Sequence, residues 1–111
     1  MATITNLYID AGADYSIIVT ANQSNGDPLN LNGYSVKSQI RKSYASPTAY
    51  DFTATVFSAN AGKIRLSLTA TQTSAIKPGR YLYDVEITSG SGEKRRVLEG
   101  IIIITPEITQ I

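Results

Sequence analysis

The chain has 111 residues, no cysteine and no histidine, and its ten basic and nine acidic residues nearly cancel. That length fits one domain with a single core, and the missing residue types exclude a disulfide framework, a thiolate nucleophile, a zinc–sulfur site and a histidine base. The balanced charge argues against a general nucleic-acid binder, which shows a basic excess.

The first residues, "MATITNLYID", lack the basic-then-apolar order of a signal peptide. The longest unbroken aliphatic run is four isoleucines, far short of a bilayer span. A soluble product made in the cytosol, with no membrane partner, is therefore expected. Asn22-Gln23-Ser24 matches a glycosylation triplet but carries no weight without a secretory signal.

The chain reads as β almost throughout. Ile4–Ile9 and Asp14–Ala21 are rich in β-branched and aromatic residues and are separated by Asp10-Ala11-Gly12. Asn22–Gly33 is a long turn region with two Asn-Gly pairs and a proline. In Tyr34–Lys42, Tyr34, Val36 and Ile40 share one face, and Lys37, Gln39 and Arg41 the other. After a loop holding Tyr44, Tyr50–Phe57 alternates again, with Phe52, Ala54 and Val56 on one side. In Lys63–Leu68, Ile64, Leu66 and Leu68 point in while Lys63, Arg65 and Ser67 point out. Thr69–Gly79 has room for a helical turn, ended by Pro78-Gly79. Arg80–Thr88, a "SGSG" turn and Glu93–Thr105 complete the chain, and Pro106 stops the last strand. These segments predict an all-β fold, an immunoglobulin-like antiparallel β-sandwich of about seven strands. Residues 1–105 form the sandwich in this reading, and 106–111 a C-terminal docking tail.

Tyr81 follows the crossover at the place where such sandwiches pin a corner, its hydroxyl bonding an upstream backbone group. Tyr83 is its inward neighbour, and Gly100 is expected to leave room for the Tyr81 ring. A sugar-stacking pair is the alternative reading of these tyrosines.

Other constellations read as structural rather than catalytic. Asp84 and Glu86 share a strand face with Cα atoms about 6.6 Å apart, as paired glycosidase carboxylates can be. No cleft-forming insertion accompanies them, so an exposed polar face is the expected role. "EKRR" (Glu93–Arg96) reads as protection of a strand edge rather than a phosphate grip. Asp10, Asp14 and Asp27 lie in loops without calcium-loop spacing. No phosphate loop or nucleophile elbow is present, and no catalytic residue, cofactor or metal is expected.

The four isoleucines Ile101–Ile104 pose a geometric question, because successive strand side chains point to opposite faces. Pairing Thr88 with Glu93 sets Tyr81 opposite Gly100, Tyr83 opposite Leu98 and Val85 opposite Arg96. Leu98, Gly100, Ile102 and Ile104 then point inward, and Val97, Glu99, Ile101 and Ile103 outward beside Leu82. Each buried isoleucine is worth roughly 1.5–3 kcal/mol, so the outward row calls for a cover. Either the N-terminal strand or the tail folds over it, or a neighbouring subunit does. With Ile108 and Ile111 in the tail, the expected subunit contact comprises Val97, Ile101, Ile103, Ile108, Ile111 and Leu82.

The series "GDPLNLNGYSVKSQIRK", "GKIRLSLTATQTSAIKPGRYLYDVEI" and "RRVLEGIIIITPEIT" resembles small structural proteins of tailed bacteriophages, including virion proteins of phages that infect cyanobacteria. It is also similar to the N-terminal β-sandwich module of the phage baseplate upper protein family. The resemblance runs from about Gly26 to Thr109 and rests on Leu31-Asn32-Gly33, Pro78-Gly79-Arg80-Tyr81 with Tyr83-Asp84, and Glu99-Gly100. It implies a virion protein that binds other capsid, tail or baseplate subunits, as a homo-oligomer in the particle, with no catalytic residues to transfer. Baseplate upper proteins continue into further modules, which leaves capsid decoration, neck and tail positions open. The alternative function is a host-surface glycan-binding module that stacks sugars on Tyr8, Tyr44 or Tyr50.

Overall fold

The computed structural model describes residues 3–23 and 25–106. Nine strands and one helical turn follow in the order β1 (Thr3–Ile4), β2 (Leu7–Asp10), β3 (Tyr15–Thr20), β4 (Ser35–Arg41), β5 (Ala49–Asp51), β6 (Thr53–Ser58), β7 (Lys63–Leu68), α1 (Ala70–Ser74), β8 (Gly79–Thr88) and β9 (Lys94–Thr105). The larger sheet has the order β1-β9-β8-β4-β5, with β2 also paired to β9, and the smaller has the order β3-β7-β6. The two sheets enclose one apolar core.

Two of the seven expected strands are broken, each for a local reason. The chain changes sheets at Phe52, so β5 pairs with β4 while β6 pairs with β7. The Phe52 ring fills the corner, 6.4 Å from the Tyr15 ring and 6.3 Å from the Tyr83 ring, and its N–H donates to the Ser38 carbonyl at 3.0 Å. The N-terminal segment is interrupted at Thr5-Asn6, yet β1 and β2 keep one register along β9. Both pair with β9 in parallel, so the sandwich is not wholly antiparallel as the alternation suggested. Alternation reports burial, and it is blind to strand direction.

Inward positions follow the period-two pattern. Ile9, Ile40, Ile64, Leu66, Val85, Ile87 and Ile102 have no accessible surface, and each removes a whole aliphatic side chain from water. The long turn region closes over this core through Leu31, with Gly26 and Gly33 at φ +91° and +80°, backbone that the Asn-Gly pairs were expected to supply.

The crossover between sheets contains α1. Thr69 caps it, accepting from the Gln72 N–H at 3.2 Å, while the Gln72 side chain accepts from the Thr69 N–H at 2.8 Å. Buried Thr73 ties the turn to the sandwich: its hydroxyl donates to the Ala13 carbonyl at 2.9 Å and accepts from the Gly12 N–H at 3.0 Å. Asp14 accepts the Ala70 N–H at 2.7 Å. A segment this short could not hold a helical turn in isolation. These bonds supply what propensity does not.

The Tyr81 hydroxyl donates to the Lys77 carbonyl at 2.6 Å, four residues upstream, which fixes the entry into β8. The β8–β9 register differs from the simple hairpin: Tyr81 faces Ile102, Tyr83 faces Gly100 and Val85 faces Leu98. One residue of the shift comes from the turn, where Thr88 pairs with Lys94 rather than Glu93. The other comes from a bulge at Val97, between the pairs Val85–Leu98 and Glu86–Arg96. A shift of two leaves every residue beyond the bulge on its expected face, so Leu98, Ile102 and Ile104 are buried.

Two residue roles change with it. Val97 lies at the bulge and is buried beside Leu98, so it drops out of the outward row. Gly100 makes room for backbone, not for the Tyr81 ring: a Cβ there would overlap the Thr5 carbonyl oxygen. The chain turns inward at Thr5 over the bare Gly100, and that carbonyl accepts the Tyr83 hydroxyl at 2.6 Å. Ile101 then finds its missing acceptor in the Asn6 side chain, at 3.1 Å from its N–H.

Candidate functional site

The outer face of the larger sheet gathers the side chains singled out above. Pairing arranges them in rows across the strands. One row is Tyr8, Ile103 and Arg80; the next is Ile101, Leu82 and Arg41; the third is Ile4, Glu99, Asp84, Gln39 and Asp51. The first two rows are apolar at the β9 end, and the third turns acidic.

Ile101, Ile103 and Leu82 are half-buried. The N-terminal strands lie beside β9 in the plane of the sheet and do not cover it. They add two more exposed apolar side chains, Ile4 at 72% and Tyr8 at 71% exposure. Cover by the N-terminal strand, one of the alternatives, is therefore absent, and the apolar row is longer than the sequence pattern suggested. Ile4 and Tyr8 were missed as its members because their place beside β9 depends on a parallel pairing between segments about 95 residues apart. Ile108 and Ile111 lie outside the described residues.

Next to the apolar row the face is concave. A trough of about 600 Å³ is lined by the apolar side chains of Ile4, Leu82 and Ile101, by the carboxylates of Asp84, Glu86 and Glu99, and by the exposed Tyr44. Arg96 is held between two of those carboxylates, 3.2 Å from Asp84 and 3.1 Å from Glu99. Arg41 is occupied by the Ser46 carbonyl at 2.7 Å and the Gln39 side-chain oxygen at 3.3 Å. Burial, then the charges of Glu86 and Glu99, raise the Asp84 carboxyl above its ordinary value against the pull of Arg96 and Arg41. The larger influences on Asp84 thus disfavour its anion.

The remaining candidates are scattered. Tyr44 is exposed at 81%, whereas Tyr50 is partly buried, packs against the core and meets the Tyr81 ring edge-on at 6.4 Å. Tyr8 and Tyr44 stand on opposite sides of the sheet's strand order, on β2 and after β4. Asp10 accepts the Thr105 hydroxyl at 2.7 Å, Asp14 binds the Ala70 N–H, and Asp27 pairs with Asn25. Among the described residues no group of three or more carboxylates converges on a metal-sized site, and no helix is long and apolar enough to cross a membrane. Lys94 and Arg95 are exposed beside the hairpin turn, on the part of β9 that β1 does not reach.

No protein-family model matches the chain. No curated protein matches it either. Among solved structures it is similar to the N-terminal domain of phage TP901-1 ORF48, with a TM-score of 0.60 and 13% identity over 90% of this chain and 84% of that one. An internalin-like protein of Listeria monocytogenes aligns with a TM-score of 0.45 and 15% identity, over 96% of this chain and 28% of that one. A family 123 glycoside hydrolase from Clostridium perfringens aligns with a TM-score of 0.43 and 12% identity, over 97% of this chain and 24% of that one. At this identity the likeness to the TP901-1 domain shows a shared fold, which in this chain is two β-sheets arranged as a sandwich.

Proposed function

We propose that the protein is a non-enzymatic structural module of a bacteriophage virion, an immunoglobulin-like sandwich that binds neighbouring subunits through the outer face of its larger sheet. The observation that carries this reading is the uncovered apolar row of Ile101, Ile103 and Leu82, extended by exposed Ile4 and Tyr8. A contiguous apolar patch marks a contact, because leaving it wet forgoes the free energy of burial. The phage sequence resemblance and the fold shared with the TP901-1 domain support a virion setting. The strand order with its corner tyrosine supports the immunoglobulin-like assignment. Residues 106–111, with Ile108 and Ile111, extend the same contact as a docking tail, and copies of the chain associate in the particle.

Light scattering of the purified protein, followed by its uptake into particles grown without it, tests the reading. A multimer or saturable uptake, lost in Ile103→Lys, is the expected result. A monomer that ignores its own particles sinks it.

A second reading is a host-surface glycan site, favoured by the exposed Tyr44 ring that lines the trough. Silence on a glycan array, with unchanged adsorption of Tyr44→Ala particles, removes it.

A further inference from the structure

The trough on the outer face has an asymmetry of charge that the apolar row does not explain. Three carboxylates line it, Asp84, Glu86 and Glu99, against the guanidinium groups of Arg41 and Arg96. One of the two cations is divided between Asp84 and Glu99, and the other is bound to uncharged oxygens on its own strand and the following loop. Glu86 makes no direct ion pair among the described residues, and it stands in register between Lys37 on β4 and Arg96 on β9. With three carboxylates to two guanidinium groups, the lining itself carries one excess negative charge, next to the aliphatic side chains of Leu82, Ile101 and Ile4.

We propose that this trough is a recognition site for a segment of a neighbouring subunit that carries an arginine or lysine next to an aliphatic residue. The aliphatic side chain packs on Leu82 and Ile101, and the cation completes the carboxylate cluster of Asp84, Glu86 and Glu99. Three observations fit that occupant and disfavour others. The volume is that of a site for a small ligand or a few residues of chain, too small for a folded element. A saccharide hydroxyl can bond a carboxylate but leaves the excess charge in place, whereas a guanidinium forms charge-assisted, bidentate bonds and neutralises it. The like-charge repulsion that disfavours the Asp84 anion is countered by an incoming cation. The trough also adjoins the apolar row, so one partner reaches both surfaces. The inference rests on the subunit-binding reading and adds the chemistry of the partner to it.

The probe is a capped peptide, acetyl-Leu-Arg-Leu-Arg-amide, titrated into the isotopically labelled full chain and followed by backbone amide shifts. A second titration uses the glutamine counterpart, acetyl-Leu-Gln-Leu-Gln-amide. Saturable shifts are expected at Leu82, Asp84, Glu99 and Ile101, with the arginine peptide bound about tenfold more tightly than its counterpart, a difference of about 1.4 kcal/mol. Glu86→Gln combined with Asp84→Asn, in a variant whose amide dispersion shows it folded, is expected to remove that preference. Equal binding of the two peptides, shifts elsewhere on the surface, no shift up to about 10 mM peptide (weaker than about 3 kcal/mol of binding), or shifts of these amides by oligosaccharides alone would each overturn the proposal. Failure here leaves the particle-uptake result for Ile103→Lys standing, and failure of that uptake leaves the peptide titration readable, so the two readings fall separately.

Discussion

On β9 one strand presents two faces made of nearly the same side chain, and the faces end in different environments. Ile102 and Ile104 point into the sandwich and are buried to 2% exposure or less, under Tyr81 and between the sheets. Ile101 and Ile103 point the other way and stay half-buried, flanked by Leu82, Arg80 and Tyr8. Chemistry cannot account for the contrast, since all four are isoleucine. What differs is the number of layers: the sandwich has a second sheet on one side of β9 and nothing in the described chain on the other. The inward face sets stability, and the outward face is free to set association. Substitutions on the two faces should therefore separate in what they damage.

The largest effect belongs inside. Ile102→Ala removes a fully buried side chain and leaves a cavity, so a loss of about 2–5 kcal/mol is expected in urea unfolding. Gly100→Ala comes next, because a methyl group there meets the Thr5 carbonyl and must displace the N-terminal edge strand. A cost of about 1–3 kcal/mol is expected for such overpacking, together with faster hydrogen exchange at residues 3–10. A cost near zero would show that the edge strand contributes little to the fold.

Tyr83 offers a pH-dependent test of the same inward side. Burial, and then the proximity of Tyr15, push its hydroxyl up to about 12. An acid whose folded value is raised keeps its proton longer folded than unfolded, so its contribution is complete below about pH 10 and is lost as pH rises toward about 12. Urea midpoints should fall across that window by more than general alkaline destabilisation gives. Tyr83→Phe should flatten that fall. It should also cost about 1–2 kcal/mol at neutral pH, since the Thr5 carbonyl loses its donor. An unchanged alkaline slope in Tyr83→Phe would show that the hydroxyl is not protected as described.

The outward face should behave in the opposite way. Ile103→Lys is expected to change stability by no more than about 0.5 kcal/mol, as surface substitutions do, while abolishing association or particle uptake. A large stability loss with association intact would reverse the contrast between the faces. The smallest effect is expected at Asp84. Its raised carboxyl means that the stabilising share of its proton is present at acid pH and lost as pH rises through the carboxylate range. Asp84→Asn should therefore leave the neutral-pH midpoint unchanged or slightly raised despite losing the Arg96 bridge, whose exposed geometry is worth about 0–1 kcal/mol. A clear drop would show that the bridge outweighs the burial of the carboxylate.

Period-two alternation and turn chemistry by themselves determined the all-β class, the inward residues of most strands and the corner at Tyr81. These signals are local: a strand's two faces and a turn's backbone preferences are written in adjacent residues. The same locality identified Ile101 and Ile103 as outward, because the two-residue register change preserved their face. Tertiary structure alone decided the rest. The bulge that buries Val97 was set by the pairing of β8 with β9. The Thr5 carbonyl over Gly100, the parallel edge that brings Ile4 beside Glu99 and Tyr8 beside Ile103, and the trough lined by apolar and acidic side chains all arise where distant segments meet. Their residues are far apart in the chain, and only the packing of the two sheets fixes which of them become neighbours.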